Sequence, residues 1–359
     1  MKIVRFLNAN DSIEWGQLHA DGHATLLAGD PFGTCIDTGA PAAIDKLLAP
    51  VEPRDIFCIG LNYRKHAAEG NQPIPEYPVV FMKNSGSVQN PNDPITLPRH
   101  LGSTKVDYEC ELAVVLGKEC YNVSREEALD YVLGYTCAND VSARDWQMQW
   151  GGSQWCRGKT FATFCPLGPC LVTRDEIPNP NALRIRTTLN GQVMQDWTTE
   201  DMIFDVPSLI AFLSGSTRLA PGTVILTGTP HGVGAARKPP VYLQPGDLVV
   251  VDIERIGTLS NPVIEEPQRT REMRAIGLDI GSTSIKAAVL EPSGAGVLEE
   301  RSVRFPAPIP HEDRQIVEVD PHQILSAIEQ ALEGLWSLAS DPCHLLVSGQ
   351  MGGLILADQ

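Results

Sequence analysis

Basic residues are scarce in this sequence. Lys and Arg total 28 against 44 Asp and Glu, a formal charge of -16 at neutral pH. That balance argues against a nucleic-acid partner held by phosphate neutralisation. It also means that an anionic small molecule must meet a local cation or a metal to overcome the long-range field. Long apolar runs are missing too. Nothing is long enough to cross a bilayer, and the opening MKIVRFLNAND lacks the apolar centre of a signal peptide. The nine cysteines form no CxxC pair and no zinc spacing. Cys58, Cys120, Cys137, Cys165 and Cys170 lie inside apolar runs and read as reduced core residues. The expectation is a soluble, cytoplasmic protein with no membrane or nucleic-acid partner. What is present is an ordinary globular balance, 43% hydrophobic and 20% charged, over 359 residues, a length suited to two domains.

The most informative stretch runs from Val106 to Asp140. It reads VDYECELAVVLGKE, then an acidic and apolar segment (SREEALDYVLG) read as a short helix, then YTCANDVSARD. Glu109 and Glu111 stand two apart in a strand pattern, so both carboxylates leave one face. Cys110, between them, faces the other way. Burying two like charges on one face is costly unless a cation lies between them. Asp140 ends the next apolar run and is placed to complete a triangle. Three carboxylates without Cys or His suit a hard ion, Mg²⁺, Mn²⁺ or Ca²⁺, better than zinc. The alternative is a solvated edge strand carrying ordinary surface glutamates.

Residues 1–50 alternate in strand fashion, with a helical piece expected at PAAIDKLL; together they read as a small β-rich cap spanning 1–52. From Ile56, FCIGL reads as a buried strand and NYRKHAAEG as one or two helical turns started by Asn62 and ended by Gly70. His66 and Glu69, three apart, are neighbours on such a turn: either an acid–base pair or an exposed pair without consequence. Lys83 ends the strand VVFMK, as a surface charge or a partner for a substrate carboxylate. Arg144 and Gln147 open an aromatic, Gly-rich stretch that contains Lys159. DVPSLIAFLSG reads as a helix with a Gly stop, and PGTVILTGTPHGVG as a strand entering a Gly/Thr turn. Short strands with few helices make residues 53–264 an α+β, mixed-β roll.

The ordered set GLNYRKHAAE, VDYECELAVVLGK, GYTCANDVSARDWQ, GKTFATFCPLGP, LTGTPHGVG and PGDLVVVDIERIG resembles the fumarylacetoacetate hydrolase family from Met1 to about Ile264. The resemblance implies a Mg²⁺ or Mn²⁺ site on Glu109, Glu111 and Asp140. It also implies a His66–Glu69 acid–base dyad, an active-site lysine at Lys159, and substrate contacts from Lys83, Arg144, Gln147 and Thr229. It further implies a homodimer acting on a small 2-oxo or 2,4-diketo acid: hydrolysis of a C–C bond in an acylpyruvate first, oxaloacetate-type decarboxylation or isomerisation of 2-hydroxyhepta-2,4-diene-1,7-dioate type second.

After Pro262 the composition shifts. Residues 265–274 read as a charged linker, and AIGLDIGSTSIKAAVLEPSG starts a second fold over 275–359. Together with SGQMGG it resembles the first part of an actin-like (ribonuclease H-like) sugar kinase. That resemblance implies a vestigial phosphate-binding turn at Asp279, Gly281, Ser282 and Thr283 in an incomplete α/β lobe. Met273 stands where an independent kinase could begin, so a joined or truncated reading frame is one expectation and an association surface the other.

Overall fold

The computed structural model describes residues 1–267, 274–290, 296–310, 312, 318–338 and 344–349. Met273 and most of the expected linker and SGQMGG turn lie outside the described residues. Contacts divide the chain into two compact units at residues 267 and 268.

The first unit is built on a large mixed sheet. Its strands run Cys35–Pro41, Ala24–Gly29, Ile13–Leu18, Lys2–Leu7, Cys165–Thr173, Val132–Asn139, Cys110–Leu116, Val224–Leu226, Ile56–Gly60 and Val79–Lys83 in spatial order. The N-terminal strands thus continue the same sheet, through pairing of Lys2–Leu7 with Cys165–Thr173. PAAIDKLL is not helical: Lys46–Leu48 is a strand paired with Arg5–Leu7, because this backbone edge was open to pairing. The expected helix at SREEALDYVLG shrinks to one 3₁₀ turn, Ala128–Tyr131. Only the last three residues of that stretch, Val132 to Gly134, join the strand Val132–Asn139, where Tyr135 and Cys137 fill the core.

A five-stranded sheet, in the order Gln192–Thr198, Arg184–Leu189, Leu248–Ile253, Gly257–Glu265 and Ile95–Leu97, packs on the large one. Between them lies a core that includes Leu112, Val114, Tyr135, Ile185, Val251 and Leu259. On the strand Cys110–Leu116 the alternate residues Ala113 and Val115 belong to the opposite core with Val224 and Leu226. Every residue of this strand is buried. A strand covered on both faces explains why its sequence reads as a continuous apolar run. The helix Val206–Ser214 caps this unit, with Asp205 accepting from Ser208 N–H and Gly215 at its end.

The second unit holds a four-stranded sheet in the order Val297–Arg304, Ser284–Leu290, Ala275–Ile280, His344–Gly349, with the last two strands parallel. The helix Pro321–Leu332 covers one face, through Ile324, Ala327 and Ala331 packed on Ile276, Leu278, Ile285 and Val289. Leu325 of this helix is exposed, and so are Leu345, Leu346 and Val347 of the edge strand. No helix among the described residues is long and apolar enough to cross a membrane.

Candidate active site

Strand register assembles the acidic residues. Cys110 pairs with Asn139, so the next residue, Asp140, falls opposite Glu109 and donates its N–H to the Glu109 carbonyl at 2.9 Å. Glu109 and Glu111 share parity and so share a face. One carboxylate oxygen from each of Glu109, Glu111 and Asp140 lies within 4.8 Å of the others, and all three residues are buried.

Buried cations thread this cluster. Lys159 Nζ donates to Glu109 Oε2 and to Asp140 Oδ2, both at 2.7 Å. Lys83 Nζ donates to Asp140 Oδ1 at 2.6 Å and to the Val141 carbonyl at 3.2 Å. Arg144 Nη2 lies 2.7 Å from Glu109 Oε1. Burial pushes the Glu109 carboxyl up, but Arg144 and then Lys159 outweigh it and hold the group well below the ordinary carboxylate range. The same anions keep Lys159 charged against its burial. Glu111 is different. Its Oε2 accepts from Gly228 N–H at 2.7 Å, and no ion pair reaches it among the described residues. Burial, then Asp140 and Glu109, push its carboxyl well up. A cluster of hard oxygen donors with one uncompensated acid is what a divalent cation fits.

A second group faces the same space. The six-residue helix Arg64–Glu69 sets His66 Nδ1 3.2 Å from Glu69 Oε2. Asn62 does not cap this helix. It donates instead to the carbonyls of Thr227 and Phe204, which ties the helix entrance to the strand end. Gly70 ends the helix, as expected. Glu69 Oε1 also accepts from Gly232 N–H at 2.9 Å. Burial raises the Glu69 carboxyl, yet the His66 and Gly232 hydrogen bonds bring it below its usual value. At Gly232, φ is +98° and an added Cβ would lie 2.4 Å from the Met194 carbonyl, so the loop requires glycine here.

Residues of both groups line one cavity of about 450 Å³, while Asp140 lies buried behind its wall. Glu109, Glu111, His66, Glu69, Lys159, Arg144, Gln147 and Thr229 all contribute to its walls. Trp155 forms an apolar wall pressed on Gly60, where an added Cβ would come within 2.3 Å of the indole. Lys83 does not line the cavity. The family resemblance implies that it contacts the substrate, but its side chain is fully buried behind Asp140, where it neutralises the second carboxylate oxygen.

These are the features of an enzyme site, and relatives confirm the class. The family described as "Fumarylacetoacetate (FAA) hydrolase C-terminal" matches residues 55–264, and "Rv2993c-like, N-terminal" matches residues 1–50. This chain belongs to the fumarylacetoacetate hydrolase family. The oxaloacetate tautomerase fahd2, mitochondrial, of Xenopus laevis is 52% identical over 219 residues, 61% of this chain and 68% of that protein. The 2-hydroxyhepta-2,4-diene-1,7-dioate isomerase structure from Mycobacterium marinum is 38% identical, with a TM-score of 0.64 over 75% of this chain and 100% of that one. The fumarylacetoacetate hydrolase of Exiguobacterium antarcticum is 35% identical, with a TM-score of 0.67 over 74% of this chain and 100% of its own. Members of the fumarylacetoacetate hydrolase family are enzymes, hydrolases and isomerases among them, and this chain is one.

Three residues at the site escaped the sequence reading. Asp107 is buried and accepts from Gly234 and Ala235 N–H at 2.8 and 2.9 Å. Gln195 donates to Thr229 Oγ1 at 2.9 Å and accepts from Cys110 N–H at 3.1 Å, so it fixes the Thr229 turn to the acidic strand. Trp155 is the third. Gln195 carried no signal; Asp107 continues the alternation of Glu109 and Glu111 one step back, and Trp155 belongs to the aromatic, Gly-rich stretch, whose clustered Trp residues suit a pocket wall.

Proposed function

We propose that this chain interconverts the keto and enol forms of a short 2-oxo dicarboxylic acid of the oxaloacetate type. The shared cavity carries the reading, with Glu109 and Glu111 on one wall, Asp140 buried behind them within the same oxygen cluster, and the His66–Glu69 pair on another wall. The tautomerase name of the X. laevis relative supports this substrate class. A divalent ion held by Glu109, Glu111 and Asp140, Mg²⁺ or Mn²⁺ by their all-oxygen donors, supplies Lewis-acid polarisation of the substrate's oxygens. The chain's own residues move the proton. With Nδ1–H directed at Glu69, the His66 Nε2 is the basic nitrogen, able to lift a proton from the carbon beside the oxo group and return it to oxygen. Lys159 supplies fixed positive charge at the cluster's edge, where negative charge develops. The ring of Trp155 narrows the space beside the substrate and excludes water, which favours proton return over hydrolysis.

A second reading is C–C hydrolysis of an acylpyruvate, with His66 Nε2 taking its proton from water. The family description and the E. antarcticum relative favour it. The test follows enol absorbance of oxaloacetate, and pyruvate release from acylpyruvates, with Mg²⁺, with Mn²⁺ and after EDTA. Accelerated, metal-dependent enol decay supports the tautomerase. Pyruvate release without it transfers the assignment to the hydrolase.

For residues 275–349 the actin-like reading rests on the strand order, with His344–Gly349 parallel beside Ala275–Ile280; Gly281, Ser282 and Thr283 form the turn between the first two strands, and Asp279 lies on the strand before it, paired with Lys286. The proposal is a lobe without kinase activity of its own; ATP hydrolysis or sugar phosphorylation by the purified chain would overturn it.

A further inference from the structure

Arg144, on the cavity wall, sets its guanidinium against two carboxylates that stand two residues apart on the acidic stretch. Its Nε donates to Asp107 Oδ2 at 2.9 Å, and its Nη2 lies 2.8 Å from the same oxygen and 2.7 Å from Glu109 Oε1. Its Nη1 donates to Gln147 Oε1 at 3.0 Å. Asp107 is fully buried, does not line the cavity, and stands outside the three-carboxylate cluster. Its two oxygens also hold the loop after the Thr229 turn, through Gly234 and Ala235 N–H. That loop lines the cavity with Val233, Ala235 and Ala236, and its other end is held by Glu69 through Gly232 N–H. The approach admits only glycine at position 234, where an added Cβ would lie 2.6 Å from Asp107 Oδ1 and 1.9 Å from the Val241 carbonyl.

We infer that Asp107 is a positioning residue: its carboxylate fixes the Arg144 fork and the 232–236 loop together, so that Arg144 presents its remaining N–H to an anionic oxygen of the substrate while leaving Glu109 available to the cation. The reasoning is one of shared charge. A buried guanidinium with Glu109 as its only anion would close onto that carboxylate, since a buried cation requires full compensation. With Asp107 accepting from Nε, Gln147 accepting from Nη1 and both carboxylates close to Nη2, the plane of the guanidinium is fixed and the fork is pre-organised before substrate arrives. The 232–236 loop is thereby tied to both working groups, to Arg144 by Asp107 and to His66 by Glu69. This rests on the site reading above, but not on which 2-oxo acid is turned over.

The test measures binding of oxalate, a planar 2-oxo acid mimic, by calorimetry with saturating Mg²⁺ and without turnover. In Asp107→Asn, which keeps the volume and loses the charge, oxalate Kd should rise roughly tenfold or more. Mn²⁺ affinity should stay within about threefold of wild type by the size expected of an indirect effect. Arg144→Lys keeps the charge, loses the fork, and leaves Asp107 untouched; it should weaken oxalate by a similar factor. The double variant Asp107→Asn/Arg144→Gln should bind oxalate no more weakly than Arg144→Gln alone, to within about twofold, because coupled residues are not additive. Additive losses, wild-type oxalate affinity in Asp107→Asn or Arg144→Lys, or loss of Mn²⁺ binding in Asp107→Asn would each overturn the assignment. A wild-type chain that fails to bind oxalate overturns it as well. Oxalate binding without oxaloacetate turnover would remove the tautomerase reading alone and leave the role of Asp107 standing.

Discussion

Lys83 and Asp140 form a fully buried ion pair, Nζ to Oδ1 at 2.6 Å, on the side of the acidic cluster away from the cavity. Its role is therefore to hold Asp140 in place while the other carboxylate oxygen, paired with Lys159, faces the cluster. Replacing Lys83 by Met leaves a buried carboxylate short of a partner. The expected cost is about 3–5 kcal/mol of unfolding free energy, the usual penalty for breaking a buried pair from one side. Urea denaturation measures it. Unchanged stability with a raised substrate KM would return Lys83 to direct substrate contact.

Glu111 makes ion uptake pH-dependent. Its carboxyl is pushed well up by burial and then by Asp140 and Glu109, so the ion-free site binds a proton there more readily than a free carboxyl does. A cation must displace that proton, so affinity climbs as pH rises through the raised value and then levels. The folded-state value lies above the unfolded one. The ion-free fold therefore has this contribution in full below the unfolded value and loses it as pH rises through the folded one. The gain in Tm from Mg²⁺ should accordingly widen with pH. Calorimetry in two buffers of different ionisation enthalpy reads the released proton directly. Affinity independent of pH, with no proton release, would show that Glu111 is not a ligand. Glu111→Gln should abolish Mn²⁺ binding.

His66 and Glu69 carry the proton in the proposed reaction and touch no ligand of the cation. His66→Ala should reduce turnover by about 10²- to 10⁴-fold, the ordinary contribution of a positioned acid–base group, while Mn²⁺ binding persists. Because Glu69 sits below its usual value, it is ionised across the neutral range, so the acid limb of the pH–rate profile belongs to another group. Glu69→Gln should lower the rate and leave the position of that limb in place. A limb that vanishes with Glu69 would reverse the assignment.

Residues 1–267 form a compact unit, and the M. marinum and E. antarcticum relatives are whole chains matching about three quarters of this one. Ending the chain after Pro267 should leave metal binding and turnover intact. It also removes Leu345, Leu346 and Val347, exposed together on an edge strand, so the shortened protein should aggregate less in light scattering. Lost turnover in a folded, shortened chain would give the second unit a part in the chemistry.

The sequence by itself determined the acidic strand, because side-chain alternation along a strand needs no tertiary information to place Glu109 and Glu111 on one face. It likewise announced the His66–Glu69 pair, three apart on a helical turn, and the helix Val206–Ser214 with its Asp205 and Gly215 ends. Local preference failed at PAAIDKLL and SREEALDYVLG, where an open sheet edge and a core position for Tyr135 outweighed helical pattern. Only the tertiary structure decided that Lys83 backs the cluster from behind, that Asp107 shares Arg144 with Glu109, and that Gln195 fixes the Thr229 turn. The physical reason is common to all three. Which polar partner a buried side chain meets depends on which strands the register brings within hydrogen-bond distance, and residues 34 to 57 apart in the chain carry no mark of that proximity in their spacing.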